Sequence, residues 1–343
     1  MDITRFASAL FILIASVAIL ILGKDFIIPI VLAVLIWFLI KQLRLLFSKI
    51  PYLGVKIPKW LLTLLSILVL FTIFGLVINV LVDNFNKLSA NIPTYEKGLV
   101  KINEQIKSNF HLDFSSTIKN FIGDFDFTEL IKKVLNSLSE VFSDALLIGF
   151  YVLFLFFEES FFNKKLSYIY GKQSNKYKET KDTLSKINDA IAVYISLKTA
   201  VSLITGVLSY IVLLIIGIDT PFFWAFLIFV LNYIPTVGSL IATTFPATIA
   251  LLQFGDLTHF FITLGVIGII QIIVGNLIEP KLMGNSLNIS SFVVILSLTF
   301  WGMVWGVTGM FLSVPITVIL IILFAQFKST KPIAIVLSET GKV

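Results

Sequence analysis

The residues able to do chemistry in this chain gather at two interruptions of otherwise apolar sequence. The first reads Asn232-Tyr233-Ile-Pro235-Thr236-Val-Gly238-Ser239, and the second Gly275-Asn276-Leu-Ile-Glu279-Pro280-Lys281-Leu-Met-Gly284. Asn amides donate and accept hydrogen bonds. A lone carboxylate pairs with a cation or carries a proton. Pro removes a backbone donor and Gly admits close approach, so each string predicts broken backbone. In lipid such a break survives only where protein or a water-filled cavity covers it. Transporters hold their cargo at such places, so Asn232, Tyr233, Pro235, Gly238, Ser239, Asn276, Glu279, Pro280 and Lys281 are the expected pathway.

Blander readings stand beside this one. Glu279, two residues before Lys281, is either a gate or coupling carboxylate, or one half of an ion pair that pins a helix end. Asn232 and Asn276 also suit plain helix-to-helix hydrogen bonding. Thr236, Ser239, Thr243 and Thr244 offer hydroxyls to a polar cargo, but such residues in membrane helices often bond their own backbone. Asp256 and His259 read as a loop cap.

Catalysis has little to work with. His111 and His259 are the only histidines and lie far apart, so no His-Glu-x-x-His zinc site exists. No Gly-x-Ser-x-Gly elbow or phosphate-binding Gly-x-x-x-x-Gly-Lys loop is present. A Ser239–His259 pair lacks a nucleophile context. The chain has no cysteine, which rules out thiolate metal sites. Neither an enzyme, nor a resident metal, nor a cofactor is expected.

Composition sets the elements that must position these residues. The chain has 343 residues, 57% hydrophobic and 13% charged, too few charges to clothe a soluble protein of this size. The expectation is an all-α polytopic membrane protein with about seven or eight transmembrane segments, some broken or re-entrant. Phe6–Leu22 and Phe26–Ile40 read as two uncleaved helices joined by a turn at Gly23. The loop from Lys41 to Lys59 is basic and without acids, so it faces the cytoplasm, as do both termini. The net charge of +6 is explained by such loops, not by nucleic acid.

Trp60–Val82 is the third span. Asp83–Asp144 is net acidic and reads as an extracytoplasmic helical insertion. Within it Phe85, Leu88, Ile92, Tyr95, Leu99, Ile102 and Ile106 alternate spacings of three and four, a helical stripe. It is expected to pack on Phe127–Asp144 or on another subunit, with a kink at Pro93 and Gly98. Ala145–Phe157 is a short span. Tyr177, Leu184, Ile187, Ile191, Tyr194 and Lys198 form one face of a cytoplasmic amphipathic arm that carries no chemistry of its own.

From Thr199 to Phe327 the only acids are Asp219, Asp256 and Glu279, and Lys281 is the only Lys or Arg. Pro221–Phe254 as one helix would be about 50 Å long, against about 30 Å of hydrocarbon. Pro235, Gly238 and Pro246 are expected to break it into a hairpin or half-helices. Ser291–Phe327 is overlong too, and Gly302, Gly306 and Gly309 break it before Pro315. The organisation expected is 1–82, a three-helix membrane part; 83–144, the insertion; 145–198, a membrane helix plus the arm; 199–327, the core transport region; and 328–343, a cytoplasmic tail.

The two strings, followed by Trp301-Gly-Met-Val-Trp305-Gly306-Val-Thr-Gly309-Met-Phe-Leu-Ser-Val-Pro315, resemble the signature of the AI-2E family, named for export of the quorum-sensing signal autoinducer-2. The order of spans is similar as well. The chain departs from the pattern at Ser290-Ser291-Phe292, where a His-Pro pair is common. The resemblance implies a secondary transporter in the inner (plasma) membrane, a homo-oligomer such as a pentamer, with broken-helix hairpins that carry cargo. It adds Trp301, as an aromatic wall, and Gly309 to the pathway. It implies export of a small polar organic solute, or alternatively sodium(lithium)/proton antiport with Glu279 as coupling carboxylate. Many Asn, Ser and Thr donors beside one convincing carboxylate favour the organic solute. In the alternating access expected, Asn232–Pro246 and Ser291–Pro315 move as one body against Phe6–Val82.

Overall fold

The computed structural model describes residues 3–50, 57–110, 127–283 and 288–342. Among the described residues the chain is helical, without strands. The helices are α1 (Ile3–Leu22), α2 (Lys24–Ser48), α3 (Lys59–Ala90), α4 (Ile92–Phe110), α5 (Phe127–Tyr170) and α6 (Asn175–Ile216). They are followed by α7 (Pro221–Leu231), α8 (Val237–Phe254), α9 (Leu257–Ile273), a π turn (Val274–Ile278), α10 (Glu279–Met283), α11 (Ser291–Ala325) and α12 (Lys331–Leu337). Among the described residues, six helices are by length and composition long and apolar enough to cross a membrane. A seventh counts if α5, bent by 57° between Ala145–Glu159 and Phe161–Tyr170, is one span. Leu10–Leu22 and Pro221–Leu231 are apolar but shorter. This is a multi-pass membrane protein. The compositional boundaries at 82/83, 144/145 and 198/199 fall inside α3, α5 and α6, which continue across them.

Two compact units emerge, Met1–Leu68, Ser139–Ile195 and Asn285–Val343 in one, and Val69–Leu138 and Ser196–Gly284 in the other. In the first, α1 and α2 meet at Gly23, whose N–H donates to the Ile19 carbonyl at 2.8 Å. Arg44 of α2 donates to Glu159 of α5 at 2.9 Å and to Thr63 of α3 at 3.2 Å. The long helix α11 is a hairpin. Its direction reverses at Gly306, with φ 62° and ψ −140°, a conformation open to glycine almost alone. Val293 and Ile321 share one apolar cluster with Ala334 of α12, although a straight helix would hold them about 42 Å apart. Trp301, Val304, Trp305 and Leu312 pack against Leu20, Ile27, Ile28 and Val31, and the Trp305 indole donates to the Leu20 carbonyl at 3.0 Å. The second hairpin is thus anchored to α1 and α2. The two hairpins belong to different units, and Phe6–Val82 is itself divided between them at Leu68/Val69. At Ser290-Ser291-Phe292 the backbone is extended at Ser290 and α11 starts at Ser291.

In the second unit α7 and α8 form the first hairpin. The chain turns through Asn232–Thr236, and Thr236 has φ 61°. Trp224 and Phe245, equally distant from the turn in sequence, face each other at 6.5 Å between ring centroids, so the limbs are antiparallel. Pro246, expected to help break this segment, sits inside a continuous α8. Membrane helices tolerate the lost backbone bond where neighbours cover it. Part of the helical stripe joins the core of this unit. Leu88 and Tyr95 join a core with Leu213, Trp224, Ile228, Ile249 and Ile267, so the stripe is buried within its own unit. Gly98 lies flat against α8, where an added Cβ would come within 1.8 Å of the Leu252 carbonyl oxygen. The chain breaks at Asn91, which places Pro93 in the first turn of α4, where a missing backbone donor costs nothing. The side chains of residues 127–144 lie outside the described residues, as does that of Ile106.

Candidate functional site

The site is built on α6. Its largely apolar run from Ser196 to Ile216 carries one buried polar stripe. Lys198, Ser202, Thr205 and Ser209 recur at spacings of four, three and four, one face of a helix, and all four are buried. Burying a charge and three hydroxyls on one face of a membrane helix is costly unless each finds a partner. Three adjoining positions do so across helices. Lys198 donates to Glu279 at 2.5 Å. Thr199 and the Tyr233 hydroxyl lie 2.6 Å apart. The Asn232 amide donates to the Ser202 hydroxyl at 3.2 Å.

Local structure explains each approach. Gly238, buried, lets the start of α8 rest on the end of α7: an added Cβ would meet the Leu231 carbonyl oxygen at 1.8 Å. That tight turn holds Asn232 and Tyr233 toward α6. Glu279 is delivered by the π turn. Its N–H donates to the Val274 carbonyl, the five-residue step of a π turn. The extra residue keeps Glu279 on the same face as Gln271 and Val274, both buried, where an unbroken α-helix would carry it aside. The Lys198 side chain is 5% exposed and that of Glu279 21%.

The remaining expected residues disperse. Pro235 is half-buried in the turn. Ser239, Thr243 and Thr244 donate to their own helix, at Thr236, Ser239 and Leu240 carbonyls. Asn276, Pro280 and Lys281 are exposed, so the partner of Glu279 is Lys198 and not its sequence neighbour Lys281. Trp301 and Gly309 lie in the other unit. There the Trp301 indole donates to Thr317 at 3.3 Å, and Gly309 lies against the Trp301 carbonyl. Lys198, Thr199, Ser202, Thr205 and Ser209 were missed as site residues. The available signal was the spacing of polar side chains along an apolar span, which continues the amphipathic face through Lys198.

A second polar node stands near the end of α6. Asp219 accepts from Asn91 at 2.8 Å and from the Tyr95 hydroxyl at 3.0 Å. Its N–H donates to Gln253 at 2.7 Å, and the Gln253 amide donates to the Gly217 carbonyl at 2.8 Å. Burial, and then the Asp219 charge, push the Tyr95 phenol well above its ordinary range. As expected, Asp256 caps α9, accepting from the His259 N–H at 2.8 Å. Burial is the largest single influence and raises its carboxyl, but the His259 backbone and ring together outweigh it and hold the group below the usual range.

Comparison with known proteins now decides the family. The sequence profile of the AI-2E family transporters matches residues 10–329. The chain belongs to the AI-2E family. It is 29% identical to a putative transport protein of Haemophilus influenzae over 293 residues, 83% of either chain. It is also 29% identical to the AI-2 transport protein TqsA of Escherichia coli K12, over 84% of this chain and 83% of TqsA. A putative transport protein of Borreliella burgdorferi is 34% identical over 68% of this chain and 64% of its own. These AI-2E relatives bear the names of transport proteins, not of enzymes.

Proposed function

We propose that this AI-2E protein is a secondary transporter that exports a small, neutral, hydroxyl-rich organic solute of the autoinducer-2 kind by alternating access. The observation that carries this reading is the set of three cross-helix pairs on adjoining positions of α6: Lys198–Glu279, Thr199–Tyr233 and Ser202–Asn232. Such pairs offer donors and acceptors that a polar solute can take over one at a time, as the site opens and closes. The name of TqsA, an AI-2 transport protein, supports the same solute class. A bare cation calls for several carboxylates or carbonyls around one point. Glu279 is already held by Lys198, and among the described residues no group of three or more acidic, His or Cys side chains gathers to bind an ion. The reading includes a homo-oligomer in the plasma membrane with both termini cytoplasmic. Asn276, Pro280 and Lys281, exposed, stand at its entrance.

The test is transport in proteoliposomes. One arm loads autoinducer-2 and follows its efflux; the other imposes a sodium gradient and follows internal pH. Efflux that falls in Asn232→Ala and Ser202→Ala, with internal pH unmoved by sodium, supports the reading. Sodium-driven proton movement that Glu279→Gln abolishes would replace it with antiport.

A further inference from the structure

Five buried polar atoms of the second unit have no hydrogen-bond partner among the described residues: Ser209 Oγ, Thr220 Oγ1, Trp224 Nε1, Thr263 Oγ1 and Gln271 Nε2. Ser209 and Thr263 are wholly inaccessible. An orphaned polar group in an apolar interior costs about 1–3 kcal/mol, so five in one unit require an explanation. Thr220 lies at the start of α7; the other four are not scattered. Ser209 is one turn before Leu213, Trp224 one turn before Ile228, and Thr263 and Gln271 flank Ile267 by one turn each. Leu213, Trp224, Ile228 and Ile267 belong to one core cluster. Three helices therefore direct unpartnered polar groups around the same core.

Two of these helices share a second connection. On α6 the polar face runs Lys198, Ser202, Thr205, Ser209; on α9 it runs Thr263, Gln271 and, through the π turn, Glu279. The Lys198–Glu279 pair joins the two faces at one end. Away from that pair, Leu213 of α6 and Ile267 of α9 share the core cluster, so each face carries its orphans from the ion pair toward the same core.

We infer that the facing polar sides of α6 and α9 are a hydrated track that admits a neutral, hydroxyl-bearing solute and ends at the Lys198–Glu279 pair. The naming of the solute class rests on the proposed function; the existence of the track does not. Hydroxyl, amide and indole groups along it would exchange hydrogen bonds with water or a polyol, and they carry no charge to hold an ion.

The chain contains no cysteine, so single cysteines report without background. Ser209→Cys and Thr263→Cys, both close in size to the native side chains, are compared with Leu213→Cys, equally inaccessible but apolar. Lys281→Cys, at an exposed position, shows that the reagent is active. The probe is 2-hydroxyethyl methanethiosulfonate, neutral and hydroxyl-bearing, applied to the full chain in membranes, with folding checked by size exclusion. The track predicts labelling of both polar positions at least roughly tenfold faster than Leu213→Cys, a difference of about 1.4 kcal/mol in barrier. Labelling of both at the Leu213→Cys rate overturns it. Labelling as predicted without autoinducer-2 efflux by the wild type leaves the track standing and removes the proposed cargo. Efflux without labelling does the reverse.

Discussion

At the first hairpin an added Cβ on Gly238 would stand 1.8 Å from the Leu231 carbonyl oxygen; at the second, one on Gly309 would stand 1.8 Å from the Trp301 carbonyl oxygen. Each turn also holds one residue at positive φ, Thr236 at 61° and Gly306 at 62°. The same device folds both, and what surrounds them differs. The Asn232–Thr236 turn presents an amide and a phenol to hydroxyls of α6. The turn at Gly306 presents Trp301 and Trp305 to the apolar faces of α1 and α2. A shared backbone solution therefore does not imply a shared role. On the function proposed above, the polar turn exchanges partners with a solute and the tryptophan turn stays in place.

The comparison breaks most severely at the ion pair beside the first hairpin. Glu279→Gln leaves Lys198, 5% exposed in its side chain, without its counter-charge. Removing one partner of a buried pair costs about 3–5 kcal/mol, so the variant melts far below wild type and loses efflux. Lys198→Met combined with Glu279→Leu removes both charges and is expected to restore the melting temperature but not efflux. Restored efflux would show the pair to be structural only.

Next in size are the two glycines. Gly238→Ala and Gly309→Ala each force a Cβ into a carbonyl, and overpacking of this kind costs about 1–3 kcal/mol. Both lower the melting temperature. Per folded molecule, Gly238→Ala loses efflux, because Asn232 and Tyr233 are displaced from α6, while Gly309→Ala retains it. Equal losses of efflux would erase the distinction between the hairpins.

The strained turn residues sharpen the contrast further. Gly306→Ala must hold a side chain in a glycine conformation, at about 1–3 kcal/mol. Thr236→Gly relieves the corresponding strain at the first hairpin and is expected to raise stability by about 1 kcal/mol. Opposite signs in thermal melts of the two variants check this.

Where the chain breaks was legible in its sequence; what the breaks meet was not. Asn232-Tyr-Ile-Pro235 and Gly302 to Gly309 are local punctuation, and each string folds back close to where its composition suggests. Pro246 misled, because a proline only removes one backbone bond and α8 absorbs the loss. Lys198 sits at the end of a face that otherwise reads as an ordinary amphipathic arm, and its partner lies more than twenty helical turns away in sequence. No periodic pattern encodes such a pairing. The stripe from Leu88 to Ile102 was legible as a buried face, but its partner in α8 was not, since Gly98 gives no sign of which backbone it will touch. The π turn that aims Glu279 was likewise hidden, because Val274–Ile278 has the composition of any apolar helix.

The smallest expected effect lies away from both hairpins, at the cap of α9. The Asp256 carboxyl is held below its unfolded value, so its contribution is present above about pH 4 and fades as pH falls through the folded value. Asp256→Ala is expected to cost about 1 kcal/mol at neutral pH, with the difference from wild type narrowing below about pH 4. Efflux should be unchanged.

The most direct measurement pairs Asn232→Ala with Trp301→Phe, reading autoinducer-2 efflux per folded molecule alongside the melting temperature. The account predicts that Asn232→Ala loses roughly tenfold or more of efflux, about 1.4 kcal/mol, with little change in melting, while Trp301→Phe melts lower and transports normally. Full efflux in Asn232→Ala, with loss of efflux and unchanged melting in Trp301→Phe, would contradict it.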